Sequence, residues 1–310
     1  MLRAARPALS KLMARTPRQR IPYSAIVDRP PLRLPGAARL AVWPVVNVEN
    51  WDIRKPMPRA VLPAPMGQSA VPDLPNWAWA EYGMRVGFWR LHALFRELGI
   101  VPTLALNGSV CGEYPRVAQA ALEGGWEFMG HGYVQAPMHS VEGQRQAIRK
   151  TIEAIRSFTG RAPRGWESPG LTETFDTVDI LAEEGIEYVA DWVLDDQPCE
   201  ILTSRGAIVS IPYTLEMNDV PMMVVARHSS QEWMLRGVRQ FDRLYQESEQ
   251  AARVMAISVH PYLSGVPHRI GYVEELFKYI REKPGVLFWT GERILDWYLE
   301  ARPAARTTTS

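Results

Sequence analysis

Apolar residues follow two alternating patterns along most of the chain. Short runs such as 254–259 are apolar without polar alternation, which is typical of a parallel strand covered on both faces. Between the runs lie segments such as 84–98, where apolar residues recur at helical spacing and the pattern ends at Gly99. The same reasoning predicts further strands at 38–48, 101–106, 126–129, 163–166, 187–190, 207–211 and 286–289, and helices at 116–123, 141–158, 175–184, 229–251, 270–281 and 292–299.

This alternation predicts an α/β fold, a distorted or incomplete (β/α) barrel of about seven strands in a single domain spanning 35–302. A doubly wound open sheet is the alternative, but no Gly-x-Gly-x-x-Gly follows the first strand, which removes support for its dinucleotide-binding form. Residues 1–34 are predicted to be a disordered or extended segment, since 1–20 carry basic but no acidic residues and 21–37 are rich in proline. Residues 303–310 are predicted to be a tail.

Composition narrows the range of partners. The net charge of +1 gives no reason to expect nucleic acid, and no apolar run approaches the roughly 18 residues that cross a membrane. Cys111 and Cys199 lie far apart without a Cys-x-x-Cys pattern, so a reducing cytoplasm is the expected setting. Residues 53–82, called the excursion below, are rich in proline and carry Trp77 and Trp79. We expect the excursion to form a lid or a subunit interface, and the protein to be a homo-oligomer.

Polar side chains follow the predicted strands where a barrel would gather them on one face. A carboxylate, two imidazoles and a second carboxylate would supply a general base, a general acid and an orienting group. Glu49 or Asp191 taken alone is better explained by helix capping or a salt bridge, so their shared position at strand ends carries the prediction. These residues are Glu49, Asn50, His131, Trp166, Glu167, Asp191 and His260.

Four segments, 131–135, 160–170, 191–198 and 258–261, resemble the polysaccharide deacetylase superfamily of NodB-like domains, and within it the allantoinase-like branch without a metal. The resemblance implies that Glu49 is the base, that Arg161 orients it, and that Asp191 orients a catalytic acid, His260. It also implies that Asn50, His131 and Gln135 occupy the metal-ligand positions. Asn and Gln are weak zinc ligands, so neither a metal nor another cofactor is expected.

The chemistry expected from these residues is metal-independent hydrolysis of a non-peptide carbon–nitrogen bond, as in ring opening of a cyclic ureide or imide. Such rings are more electrophilic than a sugar acetamide and need less activation. Asn50, Gln135, His131 and Glu167 would bind the ring, and Trp166 or Trp192 would stack on it. One alternative is a metal-dependent N-deacetylase of an amino sugar or polysaccharide that uses His139 as a substitute ligand. Another is a non-catalytic binding protein on the same fold.

Overall fold

The computed structural model describes residues 15–64, 67 and 70–302. The strands are β1 Leu40–Val48, β2 Thr103–Leu106, β3 Glu127–Gly130, β4 Gly165–Trp166, β5 Tyr188–Val189, β6 Cys199–Thr203, β7 Gly206–Ser210, β8 Arg253–Val259 and β9 Val286–Phe288. The helices are α1 Pro17–Arg20, α2 Leu74–Tyr82, α3 Phe88–Leu98, α4 Val110–Glu113, α5 Pro115–Glu123, α6 Gln144–Thr159, α7 Thr177–Glu183, α8 Ser230–Glu247, α9 Pro261–Ser264, α10 Ile270–Arg281 and α11 Gly291–Ala301. No helix among these residues is long and apolar enough to cross a membrane.

The strands form one curled sheet in the order β6-β7-β5-β4-β3-β2-β1-β8, with β9 beside the first half of β1. Every pairing in it is parallel except the β6–β7 hairpin. A parallel bridge between Asn218 and Ser258 extends the pairing beyond β8. This sheet confirms the predicted α/β distorted barrel. Strand β6 was missed, because two of its five residues are only half-buried and one is exposed, so it lacks a continuous apolar run.

The two longest parallel strands, β1 and β8, lie side by side and every residue in both is buried. Pro44 lies in the middle of β1, where a missing N–H usually breaks a ladder. Here Pro44 falls between Val42, the last residue paired with β9, and Val45, the first paired with β2. Because no strand pairs at that position on this side, the absent N–H costs nothing and β1 continues straight to Glu49.

Two segments outside the barrel pack onto it. In the N-terminal segment, Arg20 is buried and donates to both carboxylate oxygens of Asp179, so residues 15–34 have a defined place; residues 1–14 of the predicted segment lie outside the described residues. In the excursion, α2 follows Asp73, whose side chain accepts from Asn76 N. The described part of the excursion lies on its own barrel, as a lid would. Homo-oligomer formation stays a prediction.

Candidate active site

Three strand ends bring a carboxylate and two imidazoles together. Glu49 follows β1, His131 follows β3 and His260 follows β8. Glu49 Oε1 lies 3.4 Å from His260 Nε2 and 4.0 Å from His131 Nε2. All three side chains are almost fully buried, so their charges interact through protein rather than through water. Residues more than two hundred positions apart therefore share one site.

His260 is held by Asp219, and not by Asp191 as expected. Its Nδ1 lies 2.6 Å from Asp219 Oδ1, and its backbone N donates to Asp219 Oδ2 at 2.8 Å. Because a carboxylate only accepts, Nδ1 carries the proton and Nε2 faces Glu49. The assignment of Asp191 came from the resemblance and was wrong. Asp219 lies between residues 211 and 229, where no strand or helix was predicted. Asp219 directly precedes the π-helical turn Val220–Val225. An acidic residue two positions before Pro221 is the sequence signal that could have identified it.

Asp191 instead faces the β4–β5 side of the barrel mouth. Its Oδ1 accepts from Ser168 N at 2.6 Å, while its buried Oδ2 has no hydrogen-bond partner within the described part of the chain. Burial, and then the charge of Asp191, raise the pKa of Glu173 well above its usual value. Asp191 and Glu173 line a cavity of about 670 Å³, together with Trp192 and the exposed His139.

Arg161 is not part of the site, although the resemblance placed it against Glu49. Its side chain is 58% exposed and pairs with Glu292 at 2.9 Å, at the amino-terminal end of the strands. It precedes β4 rather than following it, and residues before a parallel strand lie at the opposite face of a barrel from the catalytic mouth. Arg59, from the excursion, is the arginine near Glu49: its Nη1 lies 3.6 Å from Glu49 Oε2.

The two amides at the metal-ligand positions are engaged in other bonds. Gln135 Nε2 donates to Glu49 Oε1 at 2.8 Å, and its Oε1 accepts from Asn107 Nδ2 at 3.2 Å. Asn50 Nδ2 donates to Ser109 Oγ at 2.9 Å. Asn107, which the sequence analysis missed, also donates from its Nδ2 to the carbonyl of His131. It directly follows β2, so the rule that flagged the other strand ends would have found it.

This arrangement does not fit a zinc ion. Amide groups replace two of the three ligands, and each is already hydrogen-bonded to a neighbour. Within residues 15–64, 67 and 70–302, no three His, Cys, Asp or Glu side chains are grouped so that they could hold a metal. Gln135 donates to the Glu49 carboxylate as a neutral amide, so it hydrogen-bonds that carboxylate without neutralising its charge.

Of the two predicted stacking residues, the structure leaves one available. Trp166 is fully buried, packs against Gly130 and donates to Ser168 Oγ, so it has no face for a substrate. Trp192 is half-buried and donates to Glu173 Oε1 at 3.0 Å on the wall of the 670 Å³ cavity. The difference follows from their positions, since Trp166 is the last residue of β4 and is buried in the core, whereas Trp192 lies three residues past the end of β5.

Glu167 is a second acidic neighbour of His131, in addition to Glu49. His131 Nδ1 donates to the carbonyl of Glu167 at 2.8 Å, and its buried Nε2 has no hydrogen-bond partner among the described residues. With its amide turned to satisfy both ends, Asn47 donates to Glu167 at 3.1 and 3.2 Å and accepts from Tyr213 and Ser258. Glu167 thus lies on the floor of the site, in contact with protein groups.

The protonation states follow from these contacts. Burial alone would raise the pKa of Glu49, but the charge of Arg59 and the nearby imidazoles of His131 and His260 hold it well below its usual value. Burial would lower the pKa of His260, but Asp219 and Glu49 outweigh it and raise it to about 9. Glu167 and Glu49 likewise raise the pKa of His131, against burial. Burial raises the pKa of Glu167 to about 7. At neutral pH, Glu49 is therefore ionised and His260 is protonated.

The curled parallel sheet thus places an ionised carboxylate and a protonated imidazole together at the carboxyl ends of its strands. Residues 81–189 match the family model "Polysaccharide deacetylase". This match, together with the similarity to a solved probable polysaccharide deacetylase, agrees with the resemblance that the sequence motifs implied.

Three relatives show the range of this similarity. A peptidoglycan deacetylase of Helicobacter pylori is 25% identical over 256 residues, covering 70% of this chain and 85% of that protein. A probable polysaccharide deacetylase of Pseudomonas aeruginosa PAO1 is 27% identical with a TM-score of 0.80, covering 89% of this chain and 97% of the other. The Puue allantoinase has the same fold, with a TM-score of 0.80 at 24% identity, covering 89% and 96%.

The deacetylases and the allantoinase found by these comparisons are hydrolases of carbon–nitrogen bonds other than peptide bonds. The chain is accordingly a deacetylase-like hydrolase.

Proposed function

We propose that this protein hydrolyses the ring amide bond of a cyclic ureide or imide without a catalytic metal. The observation that carries the proposal is the bond from Gln135 to Glu49. Where a metal-dependent enzyme would polarise its substrate with a cation, this chain has a neutral amide bonded to Glu49 Oε1 at 2.8 Å. The chemistry then depends on proton transfer by the side chains themselves.

Glu49 and His260 are suited to the two proton transfers. Ionised Glu49 accepts a proton from the attacking water, and protonated His260 donates one to the leaving nitrogen. Their closest atoms are 3.4 Å apart, so both reach the same reacting carbonyl. Asp219 keeps the acidic proton of His260 on the side facing Glu49, because it occupies the other ring nitrogen. His131 Nε2, which has a raised pKa and no partner among the described residues, is placed to stabilise the developing oxyanion.

The low pKa of Glu49 restricts the substrate. A carboxylate whose pKa is held down is a weak base, so the water that it activates attacks only an electrophilic carbonyl. Ring amides of imides and ureides meet this condition better than the acetamide of an amino sugar. The partly exposed Trp192 offers an aromatic face near the mouth.

The test is hydrolysis of allantoin, hydantoin and succinimide by the purified full chain, compared with N-acetylglucosamine oligomers, each with and without chelator, together with metal analysis. We expect ring opening that a chelator does not slow, and loss of that activity in His260→Gln. Deacetylation that a chelator abolishes would overturn the proposal in favour of a metal-dependent deacetylase, the activity named for the Helicobacter pylori relative. Stoichiometric binding of a ring compound without turnover would overturn it in favour of a binding protein.

A further inference from the structure

Arg59 is a buried charge that the excursion inserts into the active site. Its side chain is 19% exposed, whereas that of Arg54, also in the excursion, is 85% exposed and pairs with Asp52 at the surface. Arg59 Nη1 lies 3.6 Å from Glu49 Oε2 and donates to the hydroxyl of Tyr262. Burying a guanidinium is costly unless it is paired, so this position needs the Glu49 carboxylate.

The contacts divide the Glu49 carboxylate into two sides. Oε2 accepts from Trp51 Nε1 at 2.9 Å and from Tyr262 at 3.0 Å, and it faces Arg59. Oε1 faces His260 and accepts from Gln135. The first set of contacts fixes one oxygen and thereby aims the other at the acid. In the proposed reaction, Oε1 is the oxygen that meets the water proton.

The excursion has its own attachment, which does not depend on Glu49. Asn76 Oδ1 accepts from the backbone N of Val61 at 2.8 Å and of Leu62 at 3.1 Å, and Asn76 Nδ2 donates to the Leu62 carbonyl at 3.1 Å. Trp79 packs edge-on against Tyr262, with ring centroids 4.7 Å apart. The contacts of Asn76 begin at Val61, two residues after Arg59, so they hold the backbone that carries the Arg59 side chain in place.

We infer that Arg59 is a positioning residue for Glu49, and that the active site is complete only when the excursion is docked on the barrel. Arg59 takes over the role that the resemblance assigned to Arg161, but from the excursion rather than from the segment before β4. The activity readouts rest on the proposed function, and a stability cycle tests the contact without it.

Activity is measured in Arg59→Ala and Arg59→Lys, with Arg54→Ala as the matched control. We expect Arg59→Ala to lower kcat by about 10²-fold with little change in KM, because a misaimed group affects the transition state more than binding. Arg59→Lys should restore part of the loss, and added methylguanidinium should rescue Arg59→Ala but not Arg59→Lys. A loss confined to KM, or an equal loss in Arg54→Ala, would overturn the inference.

The second measurement needs no substrate. Removing Arg59 leaves Glu49 buried without its cation, so Arg59→Met should lower Tm by roughly 5–10 °C. The same change in a Glu49→Gln background should lower Tm much less, because the uncompensated charge is gone. Equal losses in both backgrounds would show that Arg59 acts on packing alone, and would overturn the inference. If this cycle behaves as expected while no ring compound is opened, the proposed function fails and the Arg59–Glu49 contact stands.

Discussion

At the scale of single residues, the site depends on which carboxylate holds His260. Asp219 and Asp191 both lie near the mouth of the barrel, but only Asp219 bonds to the imidazole. Asp219→Asn should lower kcat by about 10²–10⁴-fold, because the amide does not enforce the tautomer that presents the acidic proton to the substrate. Asp191→Asn is the matched control and should cost far less. Steady-state kinetics decide between them, and an equal loss in both variants would contradict the assignment.

The pH dependence of the same pair gives a second prediction. Protonated His260 is the acid, so kcat should fall as pH rises through the pKa of His260, about 9. Asp219 is the largest of the influences that raise this pKa, so in Asp219→Asn the alkaline limb should move to lower pH. In Asp191→Asn it should stay in place. A limb that stays near 9 in Asp219→Asn would mean that another group supplies the proton.

At the scale of elements, the turn after His260 is held by close backbone packing. A Cβ on Gly87, in the π-helical turn Gly83–Gly87 before α3, would overlap the carbonyl oxygen of Pro261 at the start of α9. Gly87→Ala should therefore push α9 outward, destabilise the fold by about 1–3 kcal/mol and displace the neighbouring His260. Thermal unfolding and kcat should both show the loss.

Gly112→Ala is the control for that change. Gly112 lies within α4 and a Cβ there meets nothing within 4 Å, so alanine should be neutral or slightly stabilising. If Gly87→Ala behaved like Gly112→Ala, close contact between the π-helical turn and α9 would not be what sets the position of His260.

At the scale of the whole molecule, the end of the barrel opposite the active site, where the parallel strands begin, contains a buried acid. Glu127 accepts from Thr103 at 2.6 Å and from Tyr188 at 2.5 Å, and burial followed by the charge of Glu292 raises its pKa to about 7. The folded state therefore keeps the proton that the unfolded chain loses near pH 4.5. Stability should fall as pH rises from about 4.5 to about 7, by up to about 3 kcal/mol, and then level off.

Glu127→Gln tests this dependence. The free energy of unfolding of the variant minus that of the parent should increase between pH 5 and pH 8, as measured by urea denaturation at each pH, because only the parent loses stability over this range. Glu282→Gln, at an exposed position, should leave the pH dependence unchanged. A parent and a Glu127→Gln variant with parallel pH profiles would contradict the prediction.

Strands and helices with strong periodicity, and with them the barrel, could be predicted from the order of apolar and polar residues. The apolar run of β8, the Ser229–Glu232 capping box at the start of α8, and the polar residues after β1, β3 and β8 are local patterns that survive folding. Since parallel strands carry their carboxyl ends to one face, the meeting of Glu49, His131 and His260 was predictable from order alone.

The partner of each polar side chain in the active site is set by tertiary packing. Asp219, Arg59 and Asn107 reach the site from a π-helical turn, from the excursion and from a strand end that the sequence analysis did not use, while Arg161 lies at the opposite face. Contacts over 41 and over 213 residues, as between Asp219 and His260 and between Glu49 and Tyr262, leave no periodic trace in the chain. Which carboxylate lies against which imidazole is set by a few ångströms of packing, which residue type and spacing do not encode.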